Sequence, residues 1–376
     1  MRIIQTNKAY FPVIGGVETV VATLATGLQC LPDLEVEVLA CNSNLSFQTK
    51  RETIQGVPVT YVPSLGTLFS LPISPMYFRA LQQLEGDILH IHEPFPLADL
   101  AFVLQPLLWK KFRRIIVSWH SDIVRQKFAL RAYAPLLNLF LEKVDKIIVA
   151  TPNHIKTSEY LLPYKKKCEI IPYGIDLDWA HDRIPRAKLV QEYRTKFGSP
   201  LVLFVGRLVY YKGLEFLLRA IKRVANANLL VVGSGPLQAE LQNTVRQLGL
   251  ETRVSIIPHV PIEDLHAIYE AADIFVLPST EVSEAFGIVQ VEAMACGKPV
   301  ISTNLPTGIT FVNQNGITGI TVPPKDEQAL AAAINHLLVN PDLCIEYGRA
   351  GQEWATQKFS SQAMIKSTAD LYRKIL

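Results

Sequence analysis

Short apolar runs alternate with longer amphipathic runs along this chain, and this alternation constrains its fold more than any other feature. The first half predicts strands at residues 2–6, 35–40, 57–62, 87–92, 114–120, 146–151 and 168–174, with helical patterns such as 18–31 and 129–144 between them. Strands that alternate with helices form parallel sheets whose faces are covered by the crossover helices. The first half is therefore predicted to be a doubly wound α/β domain.

The same pattern restarts in the second half, with strands predicted at 201–206, 228–233, 253–258, 273–278 and 299–303. A chain of 376 residues also exceeds one ordinary core. We therefore expect two Rossmann-like domains facing across a cleft, namely residues 1–178 and 179–358, and a C-terminal helix at 359–376 that can pack back on the N-terminal domain. The boundary is predicted near residues 176–199, where the segment 181–199 is polar and basic and is interrupted by Pro185.

Composition excludes several classes of protein. The net charge of +3 argues against general nucleic-acid binding. Five scattered cysteines without a CxxC pair argue against a disulfide framework and a zinc site, and favour a reducing compartment. The chain begins in a predicted strand, and its longest uncharged stretch, 53–78, contains prolines that would break a membrane helix. We expect a cytoplasmic protein, either soluble or peripheral on the inner face of the membrane.

The segment 279–300 carries the most specific chemistry. It places Glu284 in a loop between a predicted strand and a predicted helix, and Glu292 about two turns down that helix. A loop that leads into a helix N-terminus offers free backbone N–H groups to an anion. Two carboxylates beside such a loop suit a ligand with both phosphates and hydroxyls, as in a nucleotide sugar.

Two cations follow the first strand of the second half. Arg207 and Lys212 lie in the predicted strand-to-helix loop VGRLVYYKG, where they can stabilise charge that develops on a departing diphosphate. A solvated basic loop is the plainer alternative. The position at a strand end, together with the Glu284 segment, favours the functional interpretation.

Two glycine turns also follow strands. Gly233 lies in VVGSGPL, where packing of the turn is favoured over backbone contact with a nucleotide, because the third glycine of a dinucleotide fingerprint is missing. Gly15 and Gly16 follow the first strand and allow either close approach of a ligand or simply a tight turn.

Histidines end two of the predicted strands. His120 ends the strand RIIVSWH, where its ring can hydrogen-bond a substrate hydroxyl or its backbone carbonyl can stabilise positive charge; a structural role is equally compatible. His90 and His92 suggest a metal site, but no third ligand has suitable spacing. We therefore predict no metal site.

Two surface features suggest contact with an anionic membrane. Residues 64–78 form an apolar, proline-rich loop, and residues 109–114 combine cations with aromatic side chains. A charged helix end beside a partly buried loop is the alternative interpretation.

The chain resembles the large GT-B glycosyltransferase family called family 4, and is most similar to bacterial mannosyltransferases that extend surface polysaccharides. The resemblance covers nearly the whole C-terminal half and is most specific in EAFGIVQVEAMACGKPV; GGVE and SWHSD fit more loosely. The other segments that carry it are GRLVYYKG, VGSGPLQAEL, PYGID and GITGITVPP.

This resemblance implies a retaining, metal-independent transfer of a hexose from a nucleoside diphosphate sugar, with GDP-mannose expected, to a glycan or lipid-linked acceptor. No cofactor is implied. It assigns Glu284 to the donor sugar's hydroxyls, Glu292 to the ribose and His120 to the sugar ring. It assigns Arg207 and Lys212 to the diphosphate. The loop Ala285, Phe286, Gly287, Ile288 and Val289 is implied to face sugar and phosphate, with Gly15, Gly16 and Gly233 as further donor contacts. Tyr173 stands where many members have Asn, and the resemblance gives it no role.

Two alternatives keep the fold. A nucleotide-sugar epimerase would turn over the donor without an acceptor, and a silent subunit would bind a nucleotide sugar without chemistry. A dehydrogenase is disfavoured, because GGVET replaces the expected GxGxxG after the first strand.

Overall fold

The structure is a computed structural model that describes residues 1–13, 15–68, 71–122, 127–181 and 186–376, without the side chains of residues 127–132 and 181. These residues form two compact units. The first contains Met1–Ile175 and Ser361–Leu376, and the second contains Asp176–Ser360. Phe69 and Ser70 of the apolar loop, and Pro185 of the predicted boundary, lie outside the described residues.

Within the described residues, the first unit is built on an eight-stranded sheet of order β10-β9-β8-β7-β1-β2-β4-β3. Only β3 runs antiparallel to its neighbour. This edge strand was not predicted, because its sequence KRETI is polar and mostly exposed. The strands are β1 (Arg2–Asn7), β2 (Glu35–Cys41), β3 (Lys50–Ile54), β4 (Val57–Val62), the short pair β5 (Thr67–Leu68) and β6 (Leu71–Pro72), β7 (Gly86–Glu93), β8 (Phe112–Trp119), β9 (Lys146–Val149) and β10 (Cys168–Ile170).

Helices cover this sheet, as parallel strands require. They are α1 (Gly16–Gln29), α2 (Met76–Gln83), α3 (Pro96–Leu104), α4 (Lys127–Lys143) and α5 (Pro152–Thr157). The strand order reverses between β1 and β7, which are neighbours although β2 to β6 separate them in sequence. Ligands of open α/β sheets bind at such reversals, beyond the carboxyl ends of the strands.

The second unit has, among its described residues, a six-stranded sheet of order β13-β12-β11-β14-β15-β16, in which every pair is parallel. Its reversal lies between β11 and β14. The strands are β11 (Leu201–Val205), β12 (Asn228–Val232), β13 (Val254–Ile257), β14 (Ile274–Leu277), β15 (Val300–Thr303) and β16 (Gly319–Val322). The helices are α6 (Asp178–His181), α7 (Ala187–Phe197), α8 (Leu214–Arg223), α9 (Gln238–Leu248), α10 (Ile262–Ala271), α11 (Ile288–Ala295), α12 (Ile309–Val312), α13 (Glu327–Leu338) and α14 (Pro341–Lys358).

The C-terminal helix α15 (Ser361–Ile375) belongs to the first unit. Its Tyr372 is fully buried, with the hydroxyl 2.6 Å from Nδ1 of His90. Arg114 Nε donates to the carbonyl of Ile375 at 2.7 Å, which fixes the end of the helix on β8. The chain passes from the first unit to the second after Ile175 and returns to the first at Ser361, close to the predicted domain limits at residues 178 and 359. No helix among the described residues is long and apolar enough to cross a bilayer.

Candidate functional site

The loops after β11 and β14 lie side by side at the reversal of the second sheet. The backbone N–H of Thr280 donates to the carbonyl of Tyr211 at 2.7 Å, which joins the two loops. The first loop carries Arg207 and Lys212, and the second carries Glu284. The topology therefore brings residues from two separate motifs to one edge of the sheet.

Lys212 and Glu284 form a buried ion pair. Lys212 Nζ lies 2.5 Å from Glu284 Oε2, and the two residues are only 7% and 8% exposed. Ser279 adds a hydrogen bond from its hydroxyl to the same carboxylate oxygen at 2.9 Å. A buried pair of this kind holds both side chains in one orientation, and loss of either partner leaves an uncompensated buried charge. Ser279 was not predicted, although it directly ends the apolar strand.

Arg207 differs from Lys212 in its surroundings, because it is exposed just beyond the end of β11. The side chain of Tyr211 lies beside Lys212, with Lys212 Nζ 5.7 Å from the centre of the Tyr211 ring. Burial raises the pKa of the Tyr211 hydroxyl, while the charges of Lys212 and Arg207 oppose that rise. The loop thus presents one buried and one exposed cation.

Helix α11 begins at the same edge of the sheet. Gly287 caps it with φ +73°, and a Cβ there would lie 2.7 Å from both Gln290 Nε2 and Leu277 Cδ2. The preceding Phe286 turns its ring into the core, edge-on to Phe359 with centroids 5.6 Å apart. The side chain of Phe286 therefore anchors the predicted loop to the core. The first turn of α11, with Ile288 and Val289, has the free backbone N–H groups of a helix N-terminus.

Glu292 lies about one turn into α11, not two as the sequence pattern suggested, because the helix begins only at Ile288. Its Oε2 accepts a hydrogen bond from Tyr269 Oη at 2.5 Å. Burial raises the pKa of Glu292, and the bond from Tyr269 opposes that rise. Tyr269 on α10 was not predicted, since nothing near it in sequence connects it with Glu292.

Gly233 is required by packing. Its φ is +150°, and a Cβ there would lie 2.0 Å from the carbonyl oxygen of Gly206, which is far inside contact distance. The two loops are also joined by a hydrogen bond from the N–H of Leu208 to the carbonyl of Ser234 at 2.9 Å. Gly233 therefore supports the loop that carries Arg207.

Gly16, the first residue of α1, shows the opposite behaviour, with open space where a Cβ would lie. Gly15 is extended, with φ −164°, and a Cβ there would meet the end of the Glu18 side chain. Neither backbone conformation nor packing in the described residues requires glycine at position 16. The open space at position 16 leaves room for a ligand against the backbone.

His120 follows β8 in the first unit and is 3% exposed. Its Nε2 lies 3.0 Å from His92 Nδ1, and its Nδ1 lies 2.7 Å from the Tyr173 hydroxyl. His90 is bonded to Tyr372 and, through Nε2, to Ser118 at 2.8 Å. Among the residues that the structure describes, no group of three or more His, Cys, Asp or Glu is placed to hold a metal ion.

Comparison with known proteins identifies the family. The model of the group 1 glycosyl transferases matches residues 186–354, and that of glycosyltransferase family 4 matches residues 14–179. The O-antigen chain mannosyltransferase C of Escherichia coli is 32% identical over 100% of this chain and 99% of its own length. The D-rhamnosyltransferase WbpZ of Pseudomonas aeruginosa is 37% identical over 78% of this chain and 75% of its own.

Solved structures share the fold. HepE of Anabaena, in complex with UDP, superimposes with a TM-score of 0.80 at 20% identity, covering 100% of both chains. Sucrose-phosphate synthase of Thermosynechococcus elongatus gives a TM-score of 0.76 at 24% identity, covering 100% of this chain and 98% of the other. These similarities confirm the predicted fold and family: the chain belongs to glycosyltransferase family 4 and has the two-domain, Rossmann-like GT-B fold.

Proposed function

We propose that this glycosyltransferase is a retaining, metal-independent hexosyltransferase that moves mannose from GDP-mannose to a glycan or lipid-linked saccharide. The O-antigen chain mannosyltransferase C, which is similar to this protein over the whole chain, supports mannose as the transferred sugar. A GDP-mannose-dependent phosphatidylinositol monomannoside mannosyltransferase of Mycolicibacterium smegmatis, 34% identical over 65% of this chain, supports the guanine nucleotide. The similar D-rhamnosyltransferase makes the 6-deoxy analogue of mannose the second candidate.

The observation that carries this proposal is the buried Lys212–Glu284 pair at the reversal of the second sheet. A lysine that is 7% exposed and held at 2.5 Å from its partner is already oriented before any ligand binds. Such preorganised charge is most effective where negative charge develops during a reaction. A departing diphosphate develops that charge, and Arg207 on the same loop adds a second cation.

The proposed chemistry needs no nucleophile from the protein. The bond between the anomeric carbon and the diphosphate oxygen breaks, and the acceptor oxygen bonds to the same face of that carbon. The acceptor's proton passes to the departing phosphate oxygen, so the products are a glycoside and a nucleoside diphosphate. Lys212 and Arg207 stabilise the charge on the phosphate, and this role replaces that of a metal ion.

The remaining donor contacts follow from the same edge of the sheet. Glu292, held by Tyr269, is proposed to bind the ribose hydroxyls, and Glu284 the hydroxyls of the sugar. The first turn of α11 receives phosphate on its backbone N–H groups. In the first unit, His120 is proposed to contact the transferred sugar, and the open backbone at Gly16 to face the donor.

A thermal-shift panel tests the donor. GDP, UDP, ADP and their sugar conjugates are compared with EDTA present, because a ligand that binds only the native state raises the melting temperature. A shift with GDP and GDP-mannose alone supports the proposal, and a shift with GDP-6-deoxymannose but not GDP-mannose selects the second candidate. A UDP-selective shift would contradict the proposed base.

The two alternatives predict other products. An epimerase converts the donor to an isomer without an acceptor, and a silent subunit leaves it unchanged. None of the relatives and structures named above is an epimerase. Formation of a glycoside only when acceptor is added would exclude both.

Contact with an anionic membrane is proposed for the first unit. This unit has an apolar loop surface, formed by large exposed side chains from two uncharged segments. Ser46 and Ser64 join the two segments by a reciprocal pair of backbone hydrogen bonds. The sequence of this unit contains 21 Lys and Arg and 15 Asp and Glu, which gives a net charge of +6 that suits anionic headgroups. The members of the surface are Leu45, Phe47, Leu65, Leu68, Ile73 and Met76.

The second predicted membrane feature, residues 109–114, is mostly engaged within the protein. Lys111 pairs with Glu85 at 3.2 Å, and Phe112 is buried in the core. The apolar loop surface is therefore the better membrane contact.

Sedimentation with phosphatidylglycerol vesicles at low salt tests this contact. Phe47→Ser with Leu65→Ser should abolish co-sedimentation, since each buried apolar side chain contributes about 1.5–3 kcal/mol. The matched control, Val339→Ser with Ile345→Ser, removes two apolar side chains of the second unit that are also more than half exposed, and should leave co-sedimentation intact. Wild-type protein that stays entirely in the supernatant would contradict the proposal.

A further inference from the structure

The His120 imidazole is bonded at both ring nitrogens, by side chains from two different parts of the first unit. His92 comes from β7, the neighbouring strand, and its Nδ1 lies 3.0 Å from His120 Nε2. Tyr173 comes from the segment after β10, and its hydroxyl lies 2.7 Å from His120 Nδ1. A ring held at both ends cannot turn about its χ2 axis without breaking a hydrogen bond.

Burial fixes the charge of this chain of three side chains. His92 is 1% exposed and His120 is 3% exposed. Desolvation lowers the pKa of both imidazoles, that of His120 to about 3, so both rings are neutral at pH 7. A neutral imidazole has one donor and one acceptor nitrogen, so both hydrogen bonds must run in one direction along the chain.

The chain ends at a buried nitrogen. Within the described residues, His92 Nε2 has no hydrogen-bond partner, whichever way the bonds run. An unsatisfied buried polar group costs about 1–3 kcal/mol, and such groups are few in native proteins. An apolar side chain would remove that cost at position 92, so stability alone does not explain a histidine there.

We propose that His92 and Tyr173 are positioning residues that hold the His120 imidazole in one tautomer and one orientation for sugar transfer. This inference rests on the proposed function, in which His120 contacts the transferred sugar. Orientation of a group that acts in the transition state affects kcat more than the donor KM. The backbone contributes as well, because the N–H of His120 donates to the carbonyl of Glu93 at 3.1 Å.

A pair of substitutions at His92 separates positioning from packing. The amide of Asn reaches the place of Nδ1, the atom that contacts His120, whereas the amide of Gln reaches the place of Nε2. We therefore expect His92→Asn to retain most of kcat, and His92→Gln to lower it about tenfold, as loss of one buried hydrogen bond implies. A purely packing role gives the reverse order, because Gln conserves the volume of His better.

Tyr173→Phe removes only the hydroxyl and is expected to lower kcat about three- to tenfold with little change in donor KM. In a His120→Ala background, which lacks both ring nitrogens, the same change should have no further effect, because residues that act through one group are not additive. Equal kcat in wild type and Tyr173→Phe, or an undiminished effect in the His120→Ala background, would overturn the inference.

A measurement independent of activity completes the test. Nitrogen chemical shifts of labelled histidine in the full chain should show one neutral tautomer for His120 in wild type and a mixture in Tyr173→Phe. A mixture already present in wild type would refute the positioning role even if transfer occurs. A wild-type protein with a single tautomer but no transferase activity would instead refute the proposed function.

Discussion

The two units place candidate residues at or near the carboxyl ends of parallel strands, but with different chemistry. In the second unit the central contact is between opposite charges, Lys212 and Glu284, at 2.5 Å. In the first unit it is a chain of neutral groups, His92, His120 and Tyr173. Charge is suited to a diphosphate that departs, and neutral hydrogen bonds are suited to orienting a sugar.

This difference also separates two ways of building a site. Lys212 and Glu284 each lie in a continuous motif directly after a strand, and the sheet order brings the motifs together. The partners of His120 come from the end of the neighbouring strand β7 and from a segment 53 residues further along the chain. We expect substitutions of Lys212 and Glu284 to lower kcat more than substitutions of the partners of His120 do.

The largest effect is expected at Lys212. Lys212→Met removes the preorganised cation and leaves Glu284 buried without its partner, so kcat should fall about 10²- to 10³-fold. Lys222→Met, at an exposed position on α8, is the matched control and should keep normal turnover. Steady-state kinetics at saturating donor give the comparison; near-normal turnover in Lys212→Met would remove the role assigned to it.

The two carboxylates should separate kcat from donor affinity. Glu284→Gln is expected to lower kcat, and Glu292→Gln to raise the donor KM, each about ten- to a hundredfold, since each carboxylate is assigned to hydrogen bonds with the donor. Exposed Glu251→Gln is the control for charge. If Glu284→Gln abolished nucleotide binding and Glu292→Gln did nothing, the two assignments would be reversed.

Two glycines contrast the units in stability. Gly233→Ala places a Cβ against Gly206 at a φ of +150°, so it should lower the free energy of unfolding by about 2 kcal/mol. Gly16→Ala has open space at the start of α1 and should raise stability by about 0.4–1 kcal/mol while weakening donor binding. Urea unfolding measures the two stabilities, and titration measures donor binding. Unchanged donor affinity in Gly16→Ala would show that Gly16 serves only the turn.

The last comparison concerns pH. Burial lowers the pKa of His154 to about 4, below the value near 6.5 of an unfolded chain. Between these pH values only the unfolded state binds the proton, so the contribution of His154 to stability is complete above pH 6.5 and is lost as the pH falls toward 4. His154→Gln should therefore reduce the slope of unfolding free energy against pH by up to about 1.4 kcal/mol per pH unit.

Exposed His336→Gln in the second unit is the control for this comparison. Unfolding free energies from urea titrations between pH 4 and 7 give the slopes. Identical slopes for wild type and His154→Gln would show that the imidazole is not held neutral by burial.

The parts of the site that sequence could predict are those with local signals. Apolar strands directly precede the loops of Lys212 and Glu284, and small residues mark the helix that carries Glu292. The alternation of apolar and amphipathic runs predicted the sheets. Tyr269 and the hydrogen bond of Tyr173 to His120 could not be predicted, because those contacts arise from packing of distant segments. The polar edge strand β3 was missed because it carries no apolar run.

The most direct test of the central claim is the configuration of the product. Wild-type protein is incubated with GDP-mannose, whose sugar is α-linked, and a mannosyl acceptor, with EDTA present throughout. Proton NMR of the glycoside should show an α-linkage, as retention requires. Because EDTA is present, formation of the product should not depend on a metal ion. A β-linked product, or transfer that appears only when a divalent metal is added, would contradict the account.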